Sequence, residues 1–476
     1  MESLSRIVNS VDDMVWRVPM VASILATGIL LTLMLRFRHI FHLGSAFRYV
    51  FHQGEGHHGE VTAFGALCTA LSATIGTGNI VGVATAITTG GPGALFWMEV
   101  AAMFGMATKY AEGLLAVKYR EIAPDGRVLG GPFYYIERGL GPKWKPLAVI
   151  FAVCGILAGL LGTGTMAQIN GISSAVQRFF DPGFDPSVAS SGVTIFGTAY
   201  SPSVMIAGAV VTVCAGLVII GGLKRIAKVS MVVVPFMAVS YTAICILVML
   251  GNLEKIPDAV MLIIKAAFNP EAVTGGAVGT MFIAMQKGIA RGIFSNEAGL
   301  GSEPIAAAAA KTNEPARQGF VSMTGTFIDT TVICTMTGLT IVLSGAWDPS
   351  LKLEGVNVTV EAFSRGLSFI PGGAVMVPFL LMMALAFFAF TTILGWDYYS
   401  EKCLEYLVGM HRTHIVKCYR VLYVAVVAVG PYLSVSMVWG IADIFNGLMA
   451  FPNLVALVLL SPVVMRTTQQ FLAKSS

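Results

Sequence analysis

The sequence predicts an all-α integral membrane protein of eleven transmembrane helices, and three features carry that prediction. Of its 476 residues, 55% are hydrophobic and 12% charged, with a mean hydropathy of +0.77, whereas a soluble domain carries about 25% charged residues. Apolar runs of the roughly 20 residues needed to cross a bilayer core recur from Val15 to Val464. Basic residues gather in alternate connections between these runs, as expected for spans that reverse direction.

Apolar runs set against breakers place the spans at roughly 15–36, 62–89, 93–117, 146–177, 202–222, 229–250, 274–300, 318–344, 372–398, 415–437 and 441–465. The first thirteen residues carry Glu2, Asp12 and Asp13 without a basic n-region, so the first span is expected to stay in the mature protein. Arg36, Arg38 and Arg48 follow the first span, Lys118, Arg120 and Arg127 the third, Lys224, Arg225 and Lys228 the fifth, and Lys402, Arg412 and Lys417 the ninth. The intervening connections are poor in Lys and Arg, which puts the N-terminus outside and the C-terminus in the cytoplasm. Two outer connections, 179–201 and 345–371, are long enough for lid helices, and the apolar spacing over 356–369 predicts one.

With the first span set aside, ten remain, in two halves of five that start from opposite faces. The organisation expected is an N-terminal segment with the extra helix and a cytoplasmic linker (1–61), two inverted repeats (62–251 and 252–465) and a cytoplasmic tail (466–476). Each half opens on a glycine-interrupted span: Gly76-Thr77-Gly78-Asn79 in one, Gly275 to Gly279 and Gly288 to Gly292 in the other. Broken helices at matching places of inverted repeats point to a carrier's midplane site. An unpaired backbone group in hydrocarbon costs several kcal/mol, so an unwound turn persists only if protein or a ligand satisfies it. Amides that start the half-helix after Gly76 suit an anion such as a carboxylate. Carbonyls that end the half-helix before it, near Ser72 and Ile75, suit a cation. Close helix packing is the bland alternative for such glycines, but the cluster from Gly76 to Gly82 at the head of a half favours a break.

Three runs make the chain resemble the sodium:alanine/glycine symporter family over essentially its whole length. They are Gly76-Thr77-Gly78-Asn79-Ile80, Gly90-Gly91-Pro92-Gly93-Ala94-Leu95-Phe96-Trp97-Met98, and Arg291-Gly292-Ile293-Phe294-Ser295-Asn296-Glu297-Ala298-Gly299-Leu300-Gly301-Ser302; Thr391 to Trp396 in the ninth span adds a fourth. The resemblance implies a LeuT-like five-plus-five inverted repeat preceded by one extra helix, uptake of alanine or glycine, and sodium as coupling ion, with protons in some relatives. It further implies that Thr77 and Gly78 offer backbone amides to the substrate carboxylate, assisted by Asn79, with Gln168 adding a polar contact. Thr392 and Trp396, one helical turn apart, would meet the amino group and wall the side-chain pocket. Phe282 and Gln286 are assigned to the same pocket. Sodium would lie among the carbonyls of Ser72 and Ile75 and the hydroxyls of Thr391 and Thr392. Arg291 and Glu297 are candidate gate residues, to be made and broken in alternating access.

One position departs from the family pattern: Glu99 stands where the family has tryptophan. Either this carboxyl is protonated or paired, with Lys109 or a polar neighbour, and makes transport pH-dependent, or it meets water near the outer interface. Asp329, among threonines of the eighth span, either borders an ion path or ties helices together. Lys109 and Glu112 are spaced to pair on one helical face. The seven histidines, among them His39, His57 and His58, fall in loops. The seven cysteines have no metal-ligand spacing and read as small buried residues.

The expected activity is thus sodium-coupled import of a small neutral amino acid by a monomer in a bilayer, most naturally a bacterial inner membrane. A proton-coupled carrier or an exchanger of other small amino acids is the alternative. No nucleic-acid partner or organic cofactor is expected. A membrane enzyme would need convergent histidines or carboxyls at one depth, and a channel a filter repeated across subunits.

Overall fold

The computed structural model describes residues 8, 10–11, 14–16, 18–52, 59–124, 126–184, 192–195, 198–269, 281–409, 411–433 and 435–475. The chain is mostly helical. Helix α1 (Val18–Met34) leads into α2 (Leu43–Phe51). The second predicted span is α3 (Ala63–Thr74) and α4 (Val81–Gly90), which meet at a bend of 65°. Next come α5 (Gly93–Lys118), α6 (Lys145–Leu161), α7 (Met166–Phe180), α8 (Pro202–Ile219), α9 (Leu223–Leu250) and α10 (Ile256–Phe268). The second half holds α11 (Met281–Asn296), α12 (Pro315–Thr326), α13 (Thr335–Ser344), α14 (Val356–Gly366), α15 (Gly373–Val408), α16 (Thr413–Val429) and α17 (Val435–Ser475). Two small antiparallel ribbons, Glu121–Ile122 with Val128–Leu129 and Val193–Ile195 with Thr198–Tyr200, are the departures from an all-α chain among the described residues.

Among the described residues, seven helices are long and apolar enough to cross a membrane, and the bent α3–α4 pair, taken as one span, makes an eighth. Their outward faces are those of membrane helices: Ile206, Val210, Val213 and Leu217 on α8 are all more than half exposed, with no charged residue between them, and the one hydroxyl there, that of Thr212, donates to the Gly208 carbonyl of its own helix.

Several boundaries differ from the sequence reading for physical reasons. The fourth span is not continuous, because α6 and α7 are separated by an irregular turn over 162–165. Its Gly162-Thr163-Gly164 repeats the Gly-Thr-Gly of positions 76–78. The seventh span is not interrupted at Gly288 to Gly292, which lie inside α11. A Cβ on Gly288 would come within 2.2 Å of the Ala94 carbonyl oxygen, so this glycine serves close packing of α11 on α5. The break falls later, where Glu297, Gly299 and Gly301 all adopt positive φ. Gly275 to Gly279 lie outside the described residues. The turn between the last two spans comes at 430–433, ahead of its predicted place, and the expected tail at 466–476 continues α17 as far as Ser475. The predicted lid is present as α14, whereas α10 has no counterpart in the sequence reading, and the described part of 179–201 forms a ribbon.

Candidate functional site

The site is organised around the turn between α3 and α4. Helix α3 ends at Thr74, Gly76 is extended at φ −142°, and a single 3-10 turn over Thr77–Asn79 starts the next half-helix. Thr77 and Gly78 lead that turn, where backbone amides have no acceptor in their own helix. Glycine is required at 76, because a Cβ there would sit 2.7 Å from the Thr392 hydroxyl and so hold α15 away.

Asn79 stabilises the break from within. Its Oδ1 accepts from the Gly76 amide at 2.9 Å, and its Nδ2 donates to Asp329 Oδ1 at 2.8 Å and to Ser295 Oγ at 3.1 Å. Asp329 also accepts from Ser295 at 2.8 Å and Thr330 at 3.0 Å. It lies in a π-helical stretch, Phe327–Cys334, which joins α12 to α13; such a bulge in a span is a common device for re-aiming a functional side chain. Asp329 therefore ties the eighth span, the seventh and the unwound turn together. Its signal in the sequence was a carboxylate in an otherwise apolar span. Asn79, with its amide engaged on both sides, supports the turn that would face the substrate.

Around this turn the structure collects most of the residues the sequence singled out. The Thr77 hydroxyl donates to Gln168 Oε1 at 3.4 Å, and Gln168 Nε2 is anchored on the Thr163 carbonyl at 3.0 Å, within the irregular turn of the fourth span. The Thr392 hydroxyl reaches the Ile75 carbonyl at 3.4 Å and the Phe388 carbonyl at 3.0 Å. Thr391 bonds the Phe388 carbonyl at 2.9 Å, and Ser72 the Thr69 carbonyl at 2.7 Å. Gly395 lets α15 approach α3, since a Cβ there would lie 2.8 Å from the Ala73 amide nitrogen. The carbonyl end of α3 and the hydroxyl face of α15 thus converge on hard oxygen atoms, the donor set an alkali cation takes. Trp396 is fully buried and donates from Nε1 to Glu297 Oε1 at 3.1 Å.

Phe282 and Gln286 are not brought to the turn. The residues of α11 beside Gly78 are Phe294 and Ser295, and Gln286 lies eight residues before Phe294, about 12 Å along the helix. Phe282 is exposed. Among the described residues the interruption of this span comes after α11, and Phe282 and Gln286 lie on the helix ahead of it. The polar run Ser295-Asn296-Glu297 after an apolar stretch was the usable signal.

The charged candidates also find other partners. Lys109 pairs with Glu303 at 2.7 Å rather than with Glu112, which accepts from Asn453 at 2.6 Å. Glu99 is half-buried and accepts from Thr335 at 2.8 Å, while Lys109 is engaged by Glu303. Arg291 stacks on the Phe294 ring at 5.7 Å, while Glu297 is buried, bonded to Trp396 and Ser302. These two gate candidates do not pair with each other. His39 is buried rather than solvated, and burial pushes its imidazole down to about 4. His57 and His58 lie outside the described residues. Five cysteines are buried, but Cys214 and Cys418 are exposed.

The turn is closed on both sides. Thr77, Gln168, Thr392 and Trp396 are each at most 2% exposed. At one end, the Glu60 amide donates to the Ala309 carbonyl at 2.9 Å and the Lys311 amide to the Val61 carbonyl at 2.8 Å, while Arg120 binds the carbonyls of Ala308 and Ala310, each at 2.7 Å. At the other end, Thr359 of α14 donates to the Ile80 carbonyl at 3.2 Å.

A bundle with a broken helix at a sealed polar centre, gripped from both ends, is the architecture of a solute carrier. The chain belongs to the sodium:alanine symporter family, whose model matches residues 1–476. It is 45% identical over 471 residues to the sodium/alanine symporter AgcS of Methanococcus maripaludis, covering 98% of this chain and 96% of that one. It is 49% identical over 470 residues to an uncharacterised transporter of Haemophilus influenzae, with the same coverage of 98% and 96%. Among solved structures, MhsT in complex with L-phenylalanine matches with a TM-score of 0.57 at 14% identity, over 87% of this chain and 99% of that one. This last likeness supports the LeuT-like fold alone.

Proposed function

We propose that the chain is a sodium-coupled importer of a small neutral amino acid, alanine or glycine, working by alternating access. The observation that carries this reading is the unwound turn at Gly76 to Asn79, with leading amides at Thr77 and Gly78 on one side and the Ile75 carbonyl and Thr392 hydroxyl on the other. A carboxylate suits the first and an alkali cation the second. Bound at adjacent places, ion and substrate stabilise the same closed conformation and so raise each other's affinity. Gln168, Trp396 and, in place of Phe282 and Gln286, Phe294 would line the pocket; Ser72, Ile75, Thr391 and Thr392 would hold sodium. Backbone and hydroxyl oxygens fit that ion, and no organic cofactor enters the scheme.

Eleven spans follow if α1, α5 and α11 are added to the seven long helices and the bent pair. Helix α1 has 17 residues, at the short end for an apolar span, and α5 carries the charged residues Glu99, Lys109 and Glu112. The inverted repeats (62–251 and 252–465) are supported by the two breaks, at Gly76 and at Glu297 to Gly301. The basic end, with Arg120, faces the cytoplasm. The carrier acts as a monomer in the inner membrane.

The test is uptake of labelled alanine and glycine into proteoliposomes under an inward sodium gradient, an inward proton gradient, or neither. Accumulation under sodium alone is expected. Accumulation under the proton gradient alone would replace sodium coupling with the proton-coupled alternative.

A further inference from the structure

Asp397 follows Trp396 on α15 and takes no part in the site described above. It is fully buried, and among the described residues no donor reaches either of its carboxyl oxygens. One helical turn further along the same face, Glu401 forms a two-point ion pair with Arg420 of α16, with nitrogen-to-oxygen distances of 2.6 and 2.8 Å. That pair stands in the wall of a cavity of ≈350 Å³, lined also by Glu60, Lys224, Lys402 and Lys417, which opens at the basic end of the molecule. On the inner side of Asp397, the Tyr423 hydroxyl lies 2.9 and 3.0 Å from the carbonyl oxygens of Ile393 and Gly164, beside the irregular turn on which Gln168 is anchored. Asp397 therefore sits between a charged vestibule and the substrate region, cut off from the vestibule by one ion pair.

The groups that face it are few. Glu401 comes from its own helix, and Arg420 with the hydroxyls of Tyr419 and Tyr423 from α16. Helix α6 turns small residues this way: Gly159 lies against Ser400 and Gly155 against Cys403, with Cys154 nearby. Arg420 is already committed to Glu401. A carboxylate with neither donor nor free counter-ion is costly in such surroundings, whereas a neutral acid is accommodated.

We propose that Asp397 is a proton-binding site of the transport cycle. It carries a proton while the basic face is closed, and gives it to water in the vestibule when α15 and α16 part, the Arg420–Glu401 pair opens and water reaches the carboxyl group. Reclosure takes a proton back from the same side, so no net proton crosses the membrane. The closed form binds one proton more than the open form, and an alkaline interior holds the carrier open and slows its turnover, by up to on the order of tenfold per pH unit. The direction of opening rests on the carrier reading above; the protonation itself does not.

Two measurements on the full-length protein separate these. Infrared spectra of purified wild type should contain the carbonyl stretch of a neutral carboxylic acid that is missing from Asp397→Asn and from Asp397→Ser. In proteoliposomes at fixed external pH, sodium-driven alanine uptake should fall as interior pH rises for wild type and stay flat for both variants. Identical carboxyl bands in wild type and variants, or equal interior-pH slopes, would overturn the proposal. If wild type accumulates no alanine under any gradient, the carrier reading fails, and the infrared comparison still decides whether Asp397 holds a proton.

Discussion

Removing the Asn79 side chain is the sharpest perturbation of the unwound turn. In Asn79→Ala the buried Gly76 amide loses its 2.9 Å acceptor, and Asp329 loses its 2.8 Å donor. An abandoned buried amide costs about 1–3 kcal/mol, and a hydrogen bond to a charged group contributes about 1.5–3 kcal/mol. Together these amount to about 2.5–6 kcal/mol against the broken conformation, which is roughly two to four orders of magnitude in its population. The dissociation constant for alanine in the presence of sodium should rise by on the order of 10²- to 10⁴-fold. Equilibrium binding of labelled alanine to purified protein reads this directly. Asn79→Asp keeps the acceptor for Gly76 but sets two carboxyl groups against each other, and should bind poorly too. Combining Asn79→Asp with Asp329→Asn restores one acceptor and one donor at the same places, so the double exchange should recover much of the lost affinity. An Asn79→Ala protein with wild-type affinity and wild-type thermal stability would refute the reasoning that this side chain holds the turn open.

Three further outcomes follow from the packing and the lid. Gly288→Ala would press a Cβ to within 2.2 Å of the Ala94 carbonyl oxygen; it should cost about 1–3 kcal/mol through overpacking, read as a lower melting temperature by intrinsic fluorescence, and unchanged melting would contradict the assigned packing role. Thr359→Val removes the bond from the lid to the Ile80 carbonyl, worth about 1 kcal/mol, so the closed form should lose about fivefold in population and substrate release to the outer side should quicken in counterflow experiments. Glu99→Gln keeps an acceptor for Thr335 but removes the ionisable group; uptake should persist with a flatter dependence on external pH, and a profile superimposable on wild type would remove Glu99 from any pH response.

How much of this was legible in the sequence depended on whether the signal was local. The break at Gly76 to Asn79 was readable because helix-breaking glycines and short polar residues sit together in an apolar span, and hydrocarbon leaves an unwound turn few ways to survive. The third span was placed to within a residue, since Pro92 and Gly93 punctuate its start and a basic loop its end. By contrast, Gly288 and Gly292 looked like a break and proved to be packing contacts: a glycine looks the same in sequence whether it frees a backbone or admits a neighbour. The Lys109 pairing was misassigned to Glu112 because helical spacing sees only neighbours on one helix, while the actual partner, Glu303, arrives from a different segment. Asn79 was identified as a site residue, but its bridging to Asp329 spans 250 positions of sequence and was beyond any local pattern. The irregular turn at 162–165 could have been found, because it repeats the Gly-Thr-Gly already recognised in the second span. Asp397 carried a signal of its own, a carboxylate directly after Trp396 at the end of an apolar run.

The central claim is that main-chain amides at Thr77 and Gly78 hold a substrate's negative charge. Sodium-dependent binding of alanine and of alaninamide, compared on the same purified protein, tests it most directly, because the two differ in the carboxylate and little else. The account predicts that alanine binds and that alaninamide, lacking the charge, neither binds nor displaces it. Equal affinity for the two would contradict the account and leave the unwound turn without its assigned role.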